Sequence, residues 1–410
     1  MSPIMPITMV AYQKVIEFLG LKRNMTALLA MMILVGMGEK MAERFLPFYL
    51  MLLGGGALSV GLLNGLDNLL SALYAFPGGY LSDRLGYKRA LVVFNLLAMA
   101  GYTIVILFPA WQAVILGAVF FVSWSAISLP ASMDLISNVL PLSKRTMGVS
   151  MHSLIRRIPM ALGPLVGGIL IERYGTGAGI RLAFVAAFGM AAVSLAMQQV
   201  LIKEQRETKK NSNEAEKNPI RMLQQMTPAL RNLLLSDILI RFCEQIPYAF
   251  VVIWCLENAG VSPVQFGVLS SVEMLTAMLI YIPVAYLVDR SSKKPFVVMT
   301  FVFFTFFPLA LLFSRSFAIL IFAFILRGLK EFGEPTRKAL IMDLAPDGKK
   351  AGMFGAYYLV RDLVVSSAAF GGAYLWSLSP ATNFLAAFGF GVIGTVIFTL
   401  HGRDLGKASP

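Results

Sequence analysis

Apolar residues fill this chain in long blocks separated by short polar turns. The blocks fall at about 26–53, 58–81, 88–108, 112–138, 147–172 and 179–202, then at about 229–257, 263–288, 295–315, 317–344, 350–377 and 380–402. Each is longer than the roughly 20 residues a helix needs to cross the hydrocarbon core. A bilayer offers no water to an unpaired peptide group, so blocks of this length predict helices. The expected fold is an all-α integral membrane protein, with twelve transmembrane helices in two six-helix bundles. The interval between the bundles contains KEQRETKKNSNEAEKNP, which has no apolar periodicity and cannot bury a core. It reads as a cytoplasmic linker; a short surface helix over part of it fits equally well. The expected organisation is a lead at 1–25, a first bundle at 26–202, a linker at 203–228, a second bundle at 229–402 and a tail at 403–410.

The two bundles are copies of one another. GLLNGLDNLLSALYAFPGGYLSDRLGYKRALVV, from Gly61 to Val93, repeats as GVLSSVEMLTAMLIYIPVAYLVDRSSKKPFVVM, from Gly267 to Met299. A constant offset superposes Asp67 on Glu273, Pro77 on Pro283, Asp83-Arg84 on Asp289-Arg290 and Lys88 on Lys294. Pro130 pairs with Pro335, Arg156 with Arg361, and Glu43-Arg44-Phe45-Leu46-Pro47 has a looser echo in Glu244-Gln245-Ile246-Pro247. Duplicated membrane halves are the plan of alternating-access transporters, with the site between them.

Composition agrees: 57% of residues are hydrophobic and 14% charged, with a mean hydropathy of +0.73. The net charge of +13 is not a nucleic-acid footprint, because the basic residues sit in alternate loops. Lys22 and Arg23, Lys88 and Arg89, Lys144 and Arg145, Lys293 and Lys294, and Lys349 and Lys350 lie on one side. Only Arg173, Arg181 and Arg315 lie on the other. The positive-inside rule then places both termini in the cytoplasm, for a multi-pass protein of the cell membrane. Cys243 and Cys255 share one span, too far apart along a helix to be bridged.

The loop after the second span reads GGYLSDRLGYKRAL. It resembles the signature of the major facilitator superfamily, G-x-L-(a)-D-(R/K)-x-G-(R/K)-(R/K). Gly79, Leu81, Asp83, Arg84, Gly86 and Lys88 match, and Tyr87 departs from it. The span count, central linker and repeat extend the resemblance over essentially the whole chain. It implies a secondary transporter, not an enzyme, in which Asp83 latches the cytoplasmic side against span eleven, with Asp289 and Arg290 as a weaker second copy. Span five holds Gly163-Pro164-Leu165-Val166-Gly167-Gly168, similar to a segment of the exporting branches; close helix packing explains most of it. The resemblance also implies that spans one, four, seven and ten line the pathway.

Those spans carry the candidate binding charges. Span one has Glu39, Lys40, Glu43 and Arg44, and span seven has Arg241 and Glu244. In span ten, Arg327, Glu331, Glu334 and Lys338 fall on one narrow helical face, with Lys330 beside them. Span four adds Ser123, Trp124, Ser125 and Ser128. Each charge costs about 2.5–3.5 kcal/mol at a helix centre, so so many must face water, ligand or one another. One reading is internal pairing: Lys330 with Glu334, Arg327 with Glu331, Glu39 with Arg44. The other is a site where Arg327 and Arg241 present forked donors to a carboxylate or phosphate. Asp67 and Glu273 are candidates for a protonation switch, since burial favours the neutral carboxyl; hydrogen bonding between helices is their alternative role.

The expected function is therefore a secondary transporter of a polar, charged small molecule, coupled to protons, with export slightly favoured. A drug/proton antiporter is the rival, and a membrane sensor and a lipid translocase are alternatives of other kinds. The sequence holds no Walker loop, metal-ligand cluster or catalytic triad. The only energy source expected is a proton or other ion gradient, with no cofactor. The expected partners are a small-molecule substrate and the lipid bilayer, not nucleic acid, and the chain is expected to work as a monomer.

Overall fold

The structure is a computed structural model of the 410-residue chain that describes residues 23–121, 142–201, 224–288, 292–346 and 350–403. Among these, every regular element is a helix. The first half comprises α1 (Arg23–Glu43), α2 (Leu46–Leu52), α3 (Gly56–Leu85), α4 (Tyr87–Leu107), α5 (Trp111–Phe121), α6 (Leu142–Tyr174) and α7 (Thr176–Leu201). The second begins with α8 (Pro228–Tyr248), α9 (Phe250–Ile253) and a π-helical turn, Trp254–Asn258. It continues with α10 (Pro263–Val288), α11 (Lys294–Phe313), α12 (Phe317–Leu329), α13 (Glu334–Leu344), α14 (Lys350–Leu378) and α15 (Pro380–His401). Most of the linker, the end of span four and the loop at Asp289 and Arg290 lie outside the described residues.

Five helices among the described residues are long and apolar enough to cross a membrane by length and composition: α4, α7, α10, α11 and α15. The bent run α8–α9 makes a sixth. The other long helices, α1, α3, α6 and α14, are the ones whose sequences carry more polar and charged residues. Leu58, Leu279, Phe313, Phe322 and Leu400 are the kind of large apolar side chain left on the outside, each at least 70% exposed. In a chain of this hydropathy such a surface faces lipid.

Within the first half, α1 packs against α6 and α7, and α4 against α5 and α7. In the second, α8 packs on α14 and α15, α11 on α15 and α12, and α10 on α12. Among the described residues the halves meet chiefly along two seams, α3 on α14 and α6 on α10, with a smaller contact of α2 on α9. Small residues make both seams possible. A methyl group added at Gly168 would overlap the Pro263 carbonyl, one at Gly267 would overlap the Leu165 backbone, and one at Gly61 would overlap Ala373. Across the α6–α10 seam, Ser271 Oγ donates to the Ala161 carbonyl at 2.7 Å, and the Val264 amide, at the start of α10, donates to Glu172 at 3.3 Å.

Three helices are broken, each at or beside a cluster of charge. Span one stops at Glu43 and resumes at Leu46, with Pro47 in the first turn of α2. Span seven bends by 42° after Tyr248, beside Pro247, which lacks an N–H and crowds the preceding turn. Span ten breaks between Leu329 and Glu334, ahead of Pro335. Side chains satisfy backbone carbonyls near the second bend: Asn64 Nδ2 donates to Gln245 O and Asn383 Nδ2 to Ile246 O, both at 3.2 Å. The first two breaks fall in the looser echo of the repeat, each within a few residues after its glutamate, Glu43 or Glu244, and beside a proline, Pro47 or Pro247.

The third break corrects an expectation. Arg327, Glu331, Glu334 and Lys338 do not share one continuous helical face, because Lys330–Gly333 leave the helix between α12 and α13. Turn bonds replace helical ones there: Glu331 N donates to Gly328 O at 3.2 Å and Phe332 N to Leu329 O at 2.9 Å.

Candidate functional site

The broken helices converge on a small, partly open cavity between the halves. Its polar wall is Glu43, Arg44, Asn64, Asp67, Tyr248 and Arg327, and its apolar wall includes Leu46, Leu63, Val251 and Phe266. The break after Glu43 puts Arg44 in a turn, and the bend of span seven brings Tyr248 opposite. The two meet: the Arg44 guanidinium carbon lies 5.5 Å from the centre of the Tyr248 ring. Arg327 approaches the same ring, also at 5.5 Å. A cation over an aromatic face is stabilised by the ring quadrupole without being neutralised.

Most other charges here are already paired. Lys40 bonds Glu39 at 3.2 Å and also Glu43. Arg241 holds Glu244 at 2.6 Å and Glu334 at 3.2 Å. Lys330 holds Glu244 at 2.8 Å and reaches Glu273 at 3.5 Å. Arg327 reaches Glu273 at 3.3 Å, and Arg157 crosses between halves to Glu331 at 3.0 Å. The pairings Lys330 with Glu334, Arg327 with Glu331 and Glu39 with Arg44 are therefore replaced by others. The break in span ten is the physical reason for two of these: it turns Glu331 toward α6 and leaves Glu334 to Arg241 and Arg337. Lys40 supplies the third, because it takes both neighbouring glutamates.

Two groups stand out by what they lack. Among the described residues, Arg44 has no carboxylate within salt-bridge distance, and Asp67 receives only a weak bond from Ser71 Oγ at 3.5 Å. Both line the same cavity. Asp67 and Glu273 share one position in the repeat but not one environment: Asp67 borders open space, whereas Glu273 is 1% exposed beneath Arg327 and Lys330.

A second ionic cluster was not anticipated. Asp237 of α8 is fully buried and joins Arg337 of α13. It also accepts from Tyr357 at 2.9 Å and Arg361 at 3.5 Å, both on α14. Arg337 further holds Glu334 at 2.6 Å. One carboxylate thus ties three helices of the second half together. The signal was available, since Asp237, Arg337 and Arg361 are ionisable residues inside predicted spans.

The remaining candidates are structural or outside description. Gly163 and Gly167 lie against the backbone of α1 at Lys40 and Met41, and Pro164 sits inside α6, so this segment packs span five on span one as well as on α10. Gly79 falls within α3, and Gly86, at φ 81°, turns the chain into α4. Arg84 is exposed, and Lys88 Nζ donates to Gln199 O at 3.0 Å, fastening α4 to α7. The side chain of Asp83, together with Asp289 and Arg290, lies outside the described residues, as do Ser123, Trp124, Ser125 and Ser128.

Comparison with known proteins agrees with this architecture. The family model of the major facilitator superfamily matches residues 28–243 and again residues 233–408. An uncharacterized MFS-type transporter of Methanocaldococcus jannaschii is 25% identical over 366 residues, covering 85% of this chain and 87% of that protein. Among solved structures, a mutant of the nucleoside transporter NupG superposes with a TM-score of 0.78 at 12% identity, over 93% of this chain and 100% of that one. A mutant of the peptide transporter POT gives 0.75 at 16%, over 92% and 93%. A bacterial homolog of the human lysosomal transporter Spinster, inward-facing and unoccupied, gives 0.72 at 14%, over 93% and 96%. The chain belongs to the major facilitator superfamily. It is a multi-pass membrane protein and a secondary transporter of that type.

Proposed function

We propose that this transporter carries a small molecule bearing a carboxylate or phosphate, with Arg44 as its receptor and Asp67 as the group that couples the cycle to protons. The observation that carries the reading is that Arg44, alone of the cations named here, makes no salt bridge among the described residues. A charge held away from water is costly unless it is paired. Lys40, Arg241, Arg327 and Lys330 each hold an acid within salt-bridge distance, whereas among the described residues Arg44 has none that near and stands over the Tyr248 ring at the cavity. An anionic ligand supplies what is missing, and a guanidinium fork matches its geometry. Substrate binding, proton uptake at Asp67 and rocking of two six-helix bundles then make one cycle. The chain works as a monomer in the cell membrane, with twelve spans, cytoplasmic termini and Asp83 as the cytoplasmic latch. Export is favoured on the resemblance of Gly163–Gly168 to exporting branches.

A drug/proton antiporter has one observation in its favour, the aromatic wall formed by Phe303, Phe304 and Phe307. Yet two of these three rings already carry a cation. Arg241 lies 5.2 Å from the Phe304 ring and Arg327 lies 5.1 Å from that of Phe307. The anionic reading therefore stands ahead. The test is a thermal-shift screen of purified protein against carboxylates, phosphates, lipids and cationic drugs at two pH values, repeated on Arg44→Gln. Stabilisation by anions that vanishes in the variant supports the reading; stabilisation by cations alone overturns it.

A further inference from the structure

Span one places four charges within Glu39-Lys40-Met41-Ala42-Glu43-Arg44. Glu43 and Arg44 are neighbours in the chain and on the cavity wall, yet the acid bonds Lys40 and not the arginine. Resting on the reading of Arg44 as an anion receptor, we propose that Lys40 is its positioning residue. Lys40 holds Glu43 off Arg44 and so keeps the guanidinium open to the carboxylate or phosphate of a ligand.

Helix geometry makes Lys40 and Glu43 partners. They stand three residues apart on α1, a spacing that sets both side chains on one face, whereas Arg44 lies in the turn after the helix. Glu43 is also the nearby acid most easily released. Glu244 is held by Arg241 and Lys330, and Glu273 by Arg327 and Lys330. Glu43 has, among the described residues, Lys40 alone within salt-bridge distance. Without that ammonium, a carboxylate whose side chain is only 18% exposed needs another cation, and Arg44 is the one beside it. Lys40 itself is anchored. A methyl group added at Gly163 of α6 would stand 2.7 Å from Lys40 Cβ, so span five packs closely on the base of this side chain. Glu39 takes the same ammonium at 3.2 Å. The lysine therefore stays in place while it restrains Glu43. A carboxylate of the chain itself, once turned to Arg44, would compete with any ligand at a high effective concentration.

Variants of equal net charge test this. Binding of acetate and of inorganic phosphate is measured on the full chain in nanodiscs, with empty nanodiscs subtracted. In parallel, without ligand, mass spectrometry follows the modification of Arg44 by phenylglyoxal, which is slowed when an acid holds the guanidinium. Lys40→Met should raise both Kd values about ten- to hundredfold, the range of a lost charge-assisted hydrogen bond, and slow the labelling of Arg44. Lys40→Arg should stay close to the parent in both. Lys40→Met with Glu43→Gln removes the competing carboxylate and should restore affinity and labelling. Lys40→Met with Glu39→Gln has the same net charge but leaves Glu43 to turn to Arg44, so it should restore neither. The contrast between the two double variants can be read even where Lys40→Met alone fails to fold. Equal rescue by both would mean that Lys40 acts only through its charge. Rescue by neither, or parental affinity and labelling in Lys40→Met, would mean that it does not position Arg44. Each of these results overturns the proposal while leaving Arg44 as an anion receptor. No binding of either anion to the parent, or binding unaffected by Arg44→Gln, overturns the anionic reading and the proposal with it.

Discussion

Arg157 of α6 and Glu331, in the break of span ten, are joined at 3.0 Å across the boundary between the two halves. Both side chains are about one fifth exposed, at 20% and 24%. An ion pair in that setting is worth on the order of 0.2–1 kcal/mol. That is too little to hold the protein together and enough to bias two conformations that differ by a few kcal/mol. Arg157→Gln should shift the balance between conformations by a factor of roughly 1.5–5, read as altered distance distributions between spin labels on α6 and α12. The charge-reversed pair Arg157→Glu with Glu331→Arg should restore the original distribution. Identical distributions in all three proteins would show that the bridge carries no conformational bias.

Arg44→Lys keeps the charge and loses the planar fork. Ligand affinity should fall by about 1.5–3 kcal/mol, the range for a lost charge-assisted hydrogen bond, with melting temperature nearly unchanged because Arg44 holds no acid in place. Arg327→Gln should behave in the opposite way, since Glu273 would lose its nearest cation. Measuring Tm and Kd on both variants separates the roles. A large loss of Tm in Arg44→Lys would mean that Arg44 is structural.

The two acids of the repeat should separate in the same manner. Asp67→Asn is expected to flatten the pH dependence of transport in proteoliposomes while the protein stays folded. Glu273→Gln is expected to cost stability instead, by leaving Arg327 and Lys330 short of a partner. A wild-type pH profile in Asp67→Asn would move the coupling role to Glu39 or Glu43.

Asp237→Asn removes the one carboxylate shared by Arg337, Arg361 and Tyr357. Breaking a buried pair from one side costs about 3–5 kcal/mol, so this variant should melt well below the parent. Asp237→Asn with Arg337→Met should recover part of the loss, because the uncompensated charge goes with its partner. Equal melting of Asp237→Asn and the parent would show that the cluster is not stabilising.

The positions of the helices were legible in the sequence because hydropathy alone decides them: α10 begins and ends at the expected residues, Pro263 and Val288, and α4 and α15 come within a residue or two. Which charges would meet was not legible. Spacing along a helix predicts neighbours on that helix, whereas the observed partners of Arg241, Lys330 and Arg157 include acids 93, 86 and 174 positions away. The break in span ten had a local warning in Gly333 and Pro335, since glycine is a poor helix former and proline is at home in the first turn of a new helix. That warning was outweighed by the regular spacing of Arg327, Glu331 and Glu334. Lys40 shows the same limit at closer range. It lies between two glutamates in sequence and takes both, which leaves Arg44 for the cavity.

The close approach of Gly168 to Pro263, and of Gly267 to Leu165, bears on how the two halves can part. These contacts, with the meeting of Gly61 and Ala373, lie at the end of the bundles that carries the turns at Gly54, Gly175 and Gly260. They are largely main chain against main chain, so no side-chain rotation can open them. Separating the halves at that end must therefore part backbone from backbone. An alanine at Gly168 would set a methyl group against the Pro263 carbonyl, and is expected to shift how the two halves pack without changing any residue that lines the cavity.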